Sequence, residues 1–283
     1  MSQPTLGEVV DLVHSWYPPA TAEGWDAVGL VAGDPAEPVR RILVALDPVA
    51  AVVDEALAWD ADLVLTHHPL LLRGVHAVTA DDPKGAIVHR LVRGGCALLA
   101  SHTNADVADG GVAEALAGLL GLTGVRPVVP DSPGGATGAG RMGELPSPAT
   151  LRAFAAHAAA VLPATPQGLR VAGDLDAEVR TIAVLPGSDD TRFAEAAAAG
   201  ADVYVSSDLK HHPVSEQRER ALLGDGRPFV VDTAHWASES PWLRVVAARL
   251  AAALAAQGHD VEVRVSELRT DPWTARVASP GHP

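Results

Sequence analysis

The sequence predicts an α/β protein built as two similar lobes with mixed, largely parallel sheets and a metal cleft between them. Three observations carry this expectation. Strand-like apolar runs alternate with Ala- and Leu-rich stretches of helical length, as in sheets whose parallel strands are joined by crossover helices. The two halves repeat one another at a single offset. Imidazoles and carboxylates gather just past the strand-like runs, at the strand ends where open α/β sheets collect ligands.

The strand-like runs are 41–46, 62–65, 97–100, 181–185, 202–205, 229–231 and 261–265, each a short aliphatic segment. Helical lengths at 50–59, 85–93, 112–120, 192–199 and 242–256 separate them, and a further helix is expected at 148–162. Val39-Arg40-Arg41-Ile42-Leu43-Val44 matches Val179-Arg180-Thr181-Ile182-Ala183-Val184 at an offset of 140. Ala61-Asp62-Leu63-Val64 matches Ala201-Asp202-Val203-Tyr204 at the same offset. The copies then diverge, into Thr66-His67-His68-Pro69 in one and Ser206 to Pro213 in the other. The expected division is a first lobe at 1–125, a second at 126–268 and a tail at 269–283, with 272–283 expected to be poorly ordered. The stretch 130–140, rich in Gly, Pro and small residues, reads as a loop or connection.

With 283 residues, the chain can form about two lobes by the prior of roughly 150 residues each. An apolar content of 48% and a charged content of 20% describe an ordinary globular protein. The formal charge of −14 argues against nucleic acid or an anionic membrane as the main partner. The single cysteine, Cys96, lies in an apolar run and reads as a buried, inert thiol. The first 15 residues are amphipathic and acidic, without the pattern of a signal peptide. No apolar run is long enough to span a bilayer, and the expected location is cytoplasmic.

Three segments carry residue types that ligate divalent metals. The first is Thr66-His67-His68-Pro69. Consecutive residues in a strand face opposite ways, so both imidazoles serve one site only if the chain bends there. Pro69 favours such a bend by barring a regular strand. In the second segment, His102 and Asp106 lie four apart, with Asn104, Asp109 and Gly110 suggesting a loop before a helix near Gly111. In the third, His235 and Glu239 share a helical face if the helix begins at His235. Structural alternatives stand beside each: a buried His bonded to backbone, Asp106 or Asp109 as a cap, and Glu239 as a first-turn carboxylate. His211 and His212 open an expected helix, as supporting acid–base groups or as a solvated helix start. His14, His76, His89, His157, His259 and His282 lack comparable context. There is no P-loop, no Gly-x-Gly-x-x-Gly after a strand and no Gly-x-Ser-x-Gly elbow.

Trp25-Asp26-Ala27-Val28-Gly29-Leu30, Leu65 to Leu70, Ser101 to Asp106, Lys210-His211-His212 and His235-Trp236-Ala237-Ser238-Glu239 occur together in one order. In this the chain resembles the Nif-three-like dinuclear metal-centre proteins, often named GTP cyclohydrolase I type 2 homologues, from about Gly7 to Glu267. The resemblance implies a Nif-three-like fold of two α/β lobes, two divalent metal ions and a toroidal homohexamer. It places the metal ligands on His67, His68, Asp106, His235 and Glu239, with His102 close by. The chain resembles the short form of the family. Gly24 stands where many members have Asn, and Trp236-Ala237 replaces a commoner pairing, which leaves the ligands intact but alters the pocket.

The leading expectation is a dinuclear metal-dependent hydrolase with zinc, iron or manganese, acting on a phosphoester or a ring carbon–nitrogen bond of a small molecule. Asp106 and Glu239 are the expected bridging carboxylates, and His102 or His211 the proton carrier. The competing expectation is a metal-binding hexameric scaffold or regulator without turnover.

Overall fold

The computed structural model describes residues 3–279, which divide into two units. The first contains α1 (Leu6–Trp16), β1 (Gly29–Ala32), β2 (Arg41–Ala45), α2 (Ala50–Ala58), β3 (Leu63–Thr66), α3 (Pro83–Arg93), β4 (Ala97–Ala100) and α4 (Thr103–Val107). The second contains α5 (Val112–Leu119), β5 (Thr123–Arg126), β6 (Val129–Pro130), β7 (Gly138–Ala139), β8 (Arg141–Thr150), α6 (Leu151–Val161), β9 (Arg170–Ala172), β10 (Glu178–Val184), α7 (Phe193–Ala198), β11 (Val203–Ser207), α8 (His211–Leu222), β12 (Phe229–Thr233) and α9 (His235–Glu239). The chain then returns to the first unit with α10 (Pro241–Ala256), from Trp242 onward, and β13 (Glu262–Val265).

In the first unit the strand order is β1-β4-β3-β2-β13. β13, β2, β3 and β4 are mutually parallel, and β1 runs antiparallel at the edge. Every residue of the central strand β3 is buried, because helices cover both faces of a parallel sheet and leave no polar side to the strand. Leu43, Val52, Ala56, Val64, Leu91 and Leu98 form the core on one face. Thr5 and Glu8 form a reciprocal cap that starts α1. In the second unit the order is β5-β8-β10-β11-β12-β9. Only β10, β11 and β12 are parallel there; β5, β8 and β9 pair antiparallel.

The expected lobe boundary at 125/126 falls instead at 111/112, and residues 242–270 belong to the first unit. The physical reason is where two apolar faces are buried. Leu116 and Ala117 of α5 sit in the second unit's core with Phe154, Ile182 and Val205, while β13 extends the first sheet beside β2. The strands β1 and β5–β9 lie outside the sequence-predicted set; β8 carries Pro146 and Pro148 and a largely exposed outer half, which hides its strand character. The region expected to be a loop at Thr103–Val107 is the short helix α4. The connection at 130–140 is a loop closed by the β6–β7 pair. Residues 272–279 form no helix or strand; the rest of the expected tail, with His282, lies outside the described residues.

The duplication is visible in the backbone. Ile42 pairs with Leu63 and Ile182 with Val203, in parallel register at the offset of 140. Asp62 accepts hydrogen bonds from the amides of Arg40 and Arg41 at 2.7 and 3.0 Å. Asp202 does the same for Arg180 and Thr181 at 2.8 and 2.9 Å. Among the described residues no helix is long and apolar enough to cross a membrane.

Candidate metal centre

In the first unit β3 stops at Thr66 because the chain turns. Thr66 Oγ1 donates to the His68 carbonyl at 2.8 Å, and the His68 amide donates to Leu46 O at 3.0 Å. The bend lets two consecutive imidazoles serve one place: the rings of His67 and His68 lie 5.0 Å apart, and that of His102 lies 5.1 and 5.5 Å from them. These three side chains present ligand atoms within 4.8 Å of one another.

Each imidazole is held through Nδ1. His67 Nδ1 donates to Ser101 O at 3.0 Å, His68 Nδ1 to Asp47 Oδ1 at 2.6 Å, and His102 Nδ1 to Asp26 Oδ1 at 2.9 Å. A carbonyl or carboxylate only accepts, so Nδ1 carries a proton and, in the neutral imidazole, Nε2 keeps its lone pair. An outer oxygen in this position is what orients a histidine toward a metal.

The helix α4 supplies the carboxylate. Asp106 Oδ1 lies 3.6 Å from His67 Nε2, too far for a hydrogen bond. It is close to the roughly 3.4 Å edge expected between two ligands of one tetrahedral ion at 2.0–2.2 Å bond lengths. Asn104 fixes this short helix, donating from Nδ2 to Tyr17 O at 2.7 Å. The Asp26 side chain is buried and accepts from His102, from the amides of Ala27 and Thr103, and from the Thr103 hydroxyl. Burial alone would raise its pKa; the donors from His102 and Thr103 override this and hold it well below the usual carboxylate range.

The second unit repeats the device with other residues. α9 begins at His235, so His235 and Glu239 share one face, with His235 Nε2 3.1 Å from Glu239 Oε2. His235 Nδ1 donates to Asp208 Oδ2 at 2.8 Å. Burial alone would lower the His235 pKa, but the carboxylates of Glu239 and Asp208 push it up to about 11. Two carboxylates around one imidazole thus hold it charged, and a divalent metal at Nε2 could take the place of that proton. Glu239 is buried against Gly187, where an added Cβ would lie 2.4 Å from Glu239 Oε1 and φ is +70°. The Gly187 amide also donates to Ser238 Oγ at 3.0 Å, tying the turn after β10 to α9.

The structure therefore brings His67, His68, His102 and Asp106 together in the first unit, and His235 and Glu239 in the second. His211 and His212 stand exposed at the start of α8, rings 5.2 Å apart. His211 lines a 360 Å³ pocket with Arg218 and Val230. Asp26, Asp47, Asp208 and Gly187 were not among the sequence-predicted site residues. The signal for Asp47 and Asp208 is an Asp just past a strand, and Asp208 adds a left-handed φ of +52°.

The Duf34/NIF3 (NGG1p interacting factor 3) family model matches residues 4–272. A Streptomyces coelicolor protein named "GTP cyclohydrolase 1 type 2 homolog" is 51% identical over 98% of this chain and 96% of its own length. A protein of the same name from Mycobacterium leprae is 33% identical, covering 95% of this chain and 94% of its own length. The fold matches that of a Bacillus cereus protein related to NIF3, with a TM-score of 0.87 and 26% identity over 97% of this chain and all of the other.

Proposed function

Because the chain belongs to the Duf34/NIF3 family, we propose that it is a dinuclear metal-dependent hydrolase of a small molecule. The observation that carries the reading is the common anchoring of four histidines. His67, His68, His102 and His235 each engage an oxygen acceptor through Nδ1, with Asp106 beside Nε2 of His67 and Glu239 beside that of His235. Solvated or core histidines have no reason to share that arrangement.

In this proposal His67, His68, Asp106, His235 and Glu239 hold two divalent ions of zinc, iron or manganese. Mixed imidazole and carboxylate donors suit all three metals. When bound, such ions polarise a scissile group and make water a nucleophile at neutral pH. Proton transfer falls to His102, which adjoins His67 and His68 and is held at Nδ1 by Asp26. His211 is given no step, since it stands on an exposed helix start. The relatives' name favours hydrolysis of a ring carbon–nitrogen bond; a phosphoester suits the same metal chemistry. Homohexamer assembly and a cytoplasmic location complete the proposal, and light scattering tests the first.

Elemental analysis tests the metal count, with about two equivalents per chain expected and clearly fewer than one and a half counting against two ions. A screen of loaded protein against phosphoesters and cyclic amides tests turnover. Activity should vanish in Asp106→Ala and Glu239→Ala while the assembly persists. His102→Ala should keep its metal and lose turnover. A well-loaded chain inert across the panel would favour the scaffold reading.

A further inference from the structure

The second unit leaves part of its apolar core open beside an edge strand. β9 ends the sheet, with Ala172 opposite Val230 and Arg170 opposite Asp232 on β12. Side chains two apart share a sheet face, so these four lie on one face. Ala172, Val230, Leu209 and Val214 belong to a single apolar cluster there. α8 does not close over it. His211, Val214, Ser215 and Arg218, spaced as one helical face, wall a pocket of 360 Å³ whose floor includes Ala172 and Val230. That volume suits a small ligand.

The fixed charges lining this pocket are matched, with one exception. Asp232 is held by Arg170, whose Nε donates to its Oδ2 at 2.6 Å, and by the Leu209 amide at 3.1 Å. Lys210 Nζ donates to Asp190 Oδ2 at 2.9 Å. Arg218 forms no ion pair among the described residues. Its Nη1 donates to the carbonyls of Gly226 and Pro228 at 2.6 and 2.8 Å, and its guanidinium lies 5.2 Å from the Phe229 ring. These contacts fix the guanidinium and leave Nε and Nη2 as donors. Burial pushes the Arg218 pKa down, as it does for a cation without a counter-charge. A half-buried cation beside an apolar slot fits an anion joined to an apolar body, and a guanidinium fork matches a carboxylate.

We propose that this pocket binds a small aliphatic carboxylic acid. The carboxylate pairs with Arg218, and the aliphatic chain lies on Ala172, Val214 and Val230. The proposal is independent of the metal reading, since none of these residues is a candidate ligand.

Hexanoate is the probe, titrated into the full chain and followed by calorimetry and by methyl NMR. Binding should shift the methyl signals of Leu209, Val214 and Val230 and leave those of Val44 and Leu65 in the first unit unmoved. Hexanol, which keeps the chain and lacks the charge, should bind about tenfold more weakly, the order of one lost hydrogen bond to a charged group. Arg218→Gln should weaken hexanoate by about the same factor and leave hexanol unchanged. Because Arg218 also holds two loop carbonyls, Ala172→Leu is the second variant. It keeps every charge but fills the slot, and should weaken both probes alike. Absence of saturable hexanoate binding by the folded wild type would overturn the site. So would equal affinity for hexanol, methyl shifts confined to other residues, or hexanoate binding that Ala172→Leu leaves unaltered.

Discussion

The two units place different chemistry at the ends of equivalent strands. Past the first strand, the offset of 140 sets Asp47 of the first unit against Gly187 of the second; one orients His68, the other makes room for Glu239. Past the second strand, His68 in the first unit corresponds to Asp208 in the second. A donor in one copy is thus an outer support in the other. Past the third strand, each unit has a five-residue helix, α4 or α9, with a histidine and a carboxylate four residues apart. His102 stands before its helix and His235 is the first residue of its own. The scaffold and the outer-oxygen device recur in both units, while the position that carries the imidazole or the carboxylate is exchanged.

The largest expected effect tests whether both donor sets matter. Glu239→Ala and His67→Ala should each weaken metal binding more than about 100-fold, beyond the 10–100-fold cost typical of an outer-shell change. Equilibrium dialysis with elemental analysis reads this directly. A chain that loses Glu239 but keeps two equivalents would mean the second unit's pair is not a ligand set.

Gly187→Ala comes next and separates space from chemistry. It removes no donor, yet its Cβ would lie 2.4 Å from Glu239 Oε1. The left-handed φ adds about 1–2 kcal/mol of strain to the folded state. Metal affinity should fall roughly 10–100-fold, with a few degrees lost from Tm. Unchanged affinity would show that Glu239 can move aside without leaving the site.

The outer carboxylates should differ toward metal and toward folding. Asp208→Asn should weaken metal binding by about 10–100-fold, because Asp208 orients the ligand His235, while Asp26→Asn, which touches only His102, should leave the metal content unchanged. Asp26 has a fully buried side chain and several donors, while that of Asp208 is 47% exposed. Chemical denaturation of Asp26→Asn should therefore show a loss of about 1–3 kcal/mol from unmatched buried donors, with Asp208→Asn near zero. Equal losses would mean that burial does not distinguish the two sites.

How much of this was legible depended on the length of the signal. The aliphatic strands β2, β3, β4, β10, β11 and β12 announce themselves because parallel strands are buried on both faces. His67, His68, Asp106, His235 and Glu239 follow from residue type at strand ends together with the ordered motifs. α4 was hidden, since five residues are too few to show a helical period and Asn104 and Asp109 imitate a loop. Asp47 and Asp208 look like ordinary turn residues until an imidazole is seen beside them. Gly187 is informative only through a φ and a missing Cβ, neither of which a sequence displays. The unit boundary was concealed because the apolar face of α5 does not say which sheet it covers.

The smallest expected difference concerns the part of the duplication far from the candidate metal site. Asp62 and Asp202 each accept two backbone amides and one arginine, Arg40 for the first and Arg227 for the second. Replacing either by Ala leaves two amides without their acceptor, a loss of about 1–3 kcal/mol where burial keeps water away. Their arginines differ: the Arg40 side chain is 60% exposed, that of Arg227 only 32%. An exposed pair adds little, so Asp202→Ala should cost a few tenths of a kcal/mol more than Asp62→Ala in urea melts. Metal content should be unaffected in both. If Asp62→Ala proves the costlier, the amide clamp does not carry equal weight in the two copies, and the likeness of the units is one of geometry without a matching energetics.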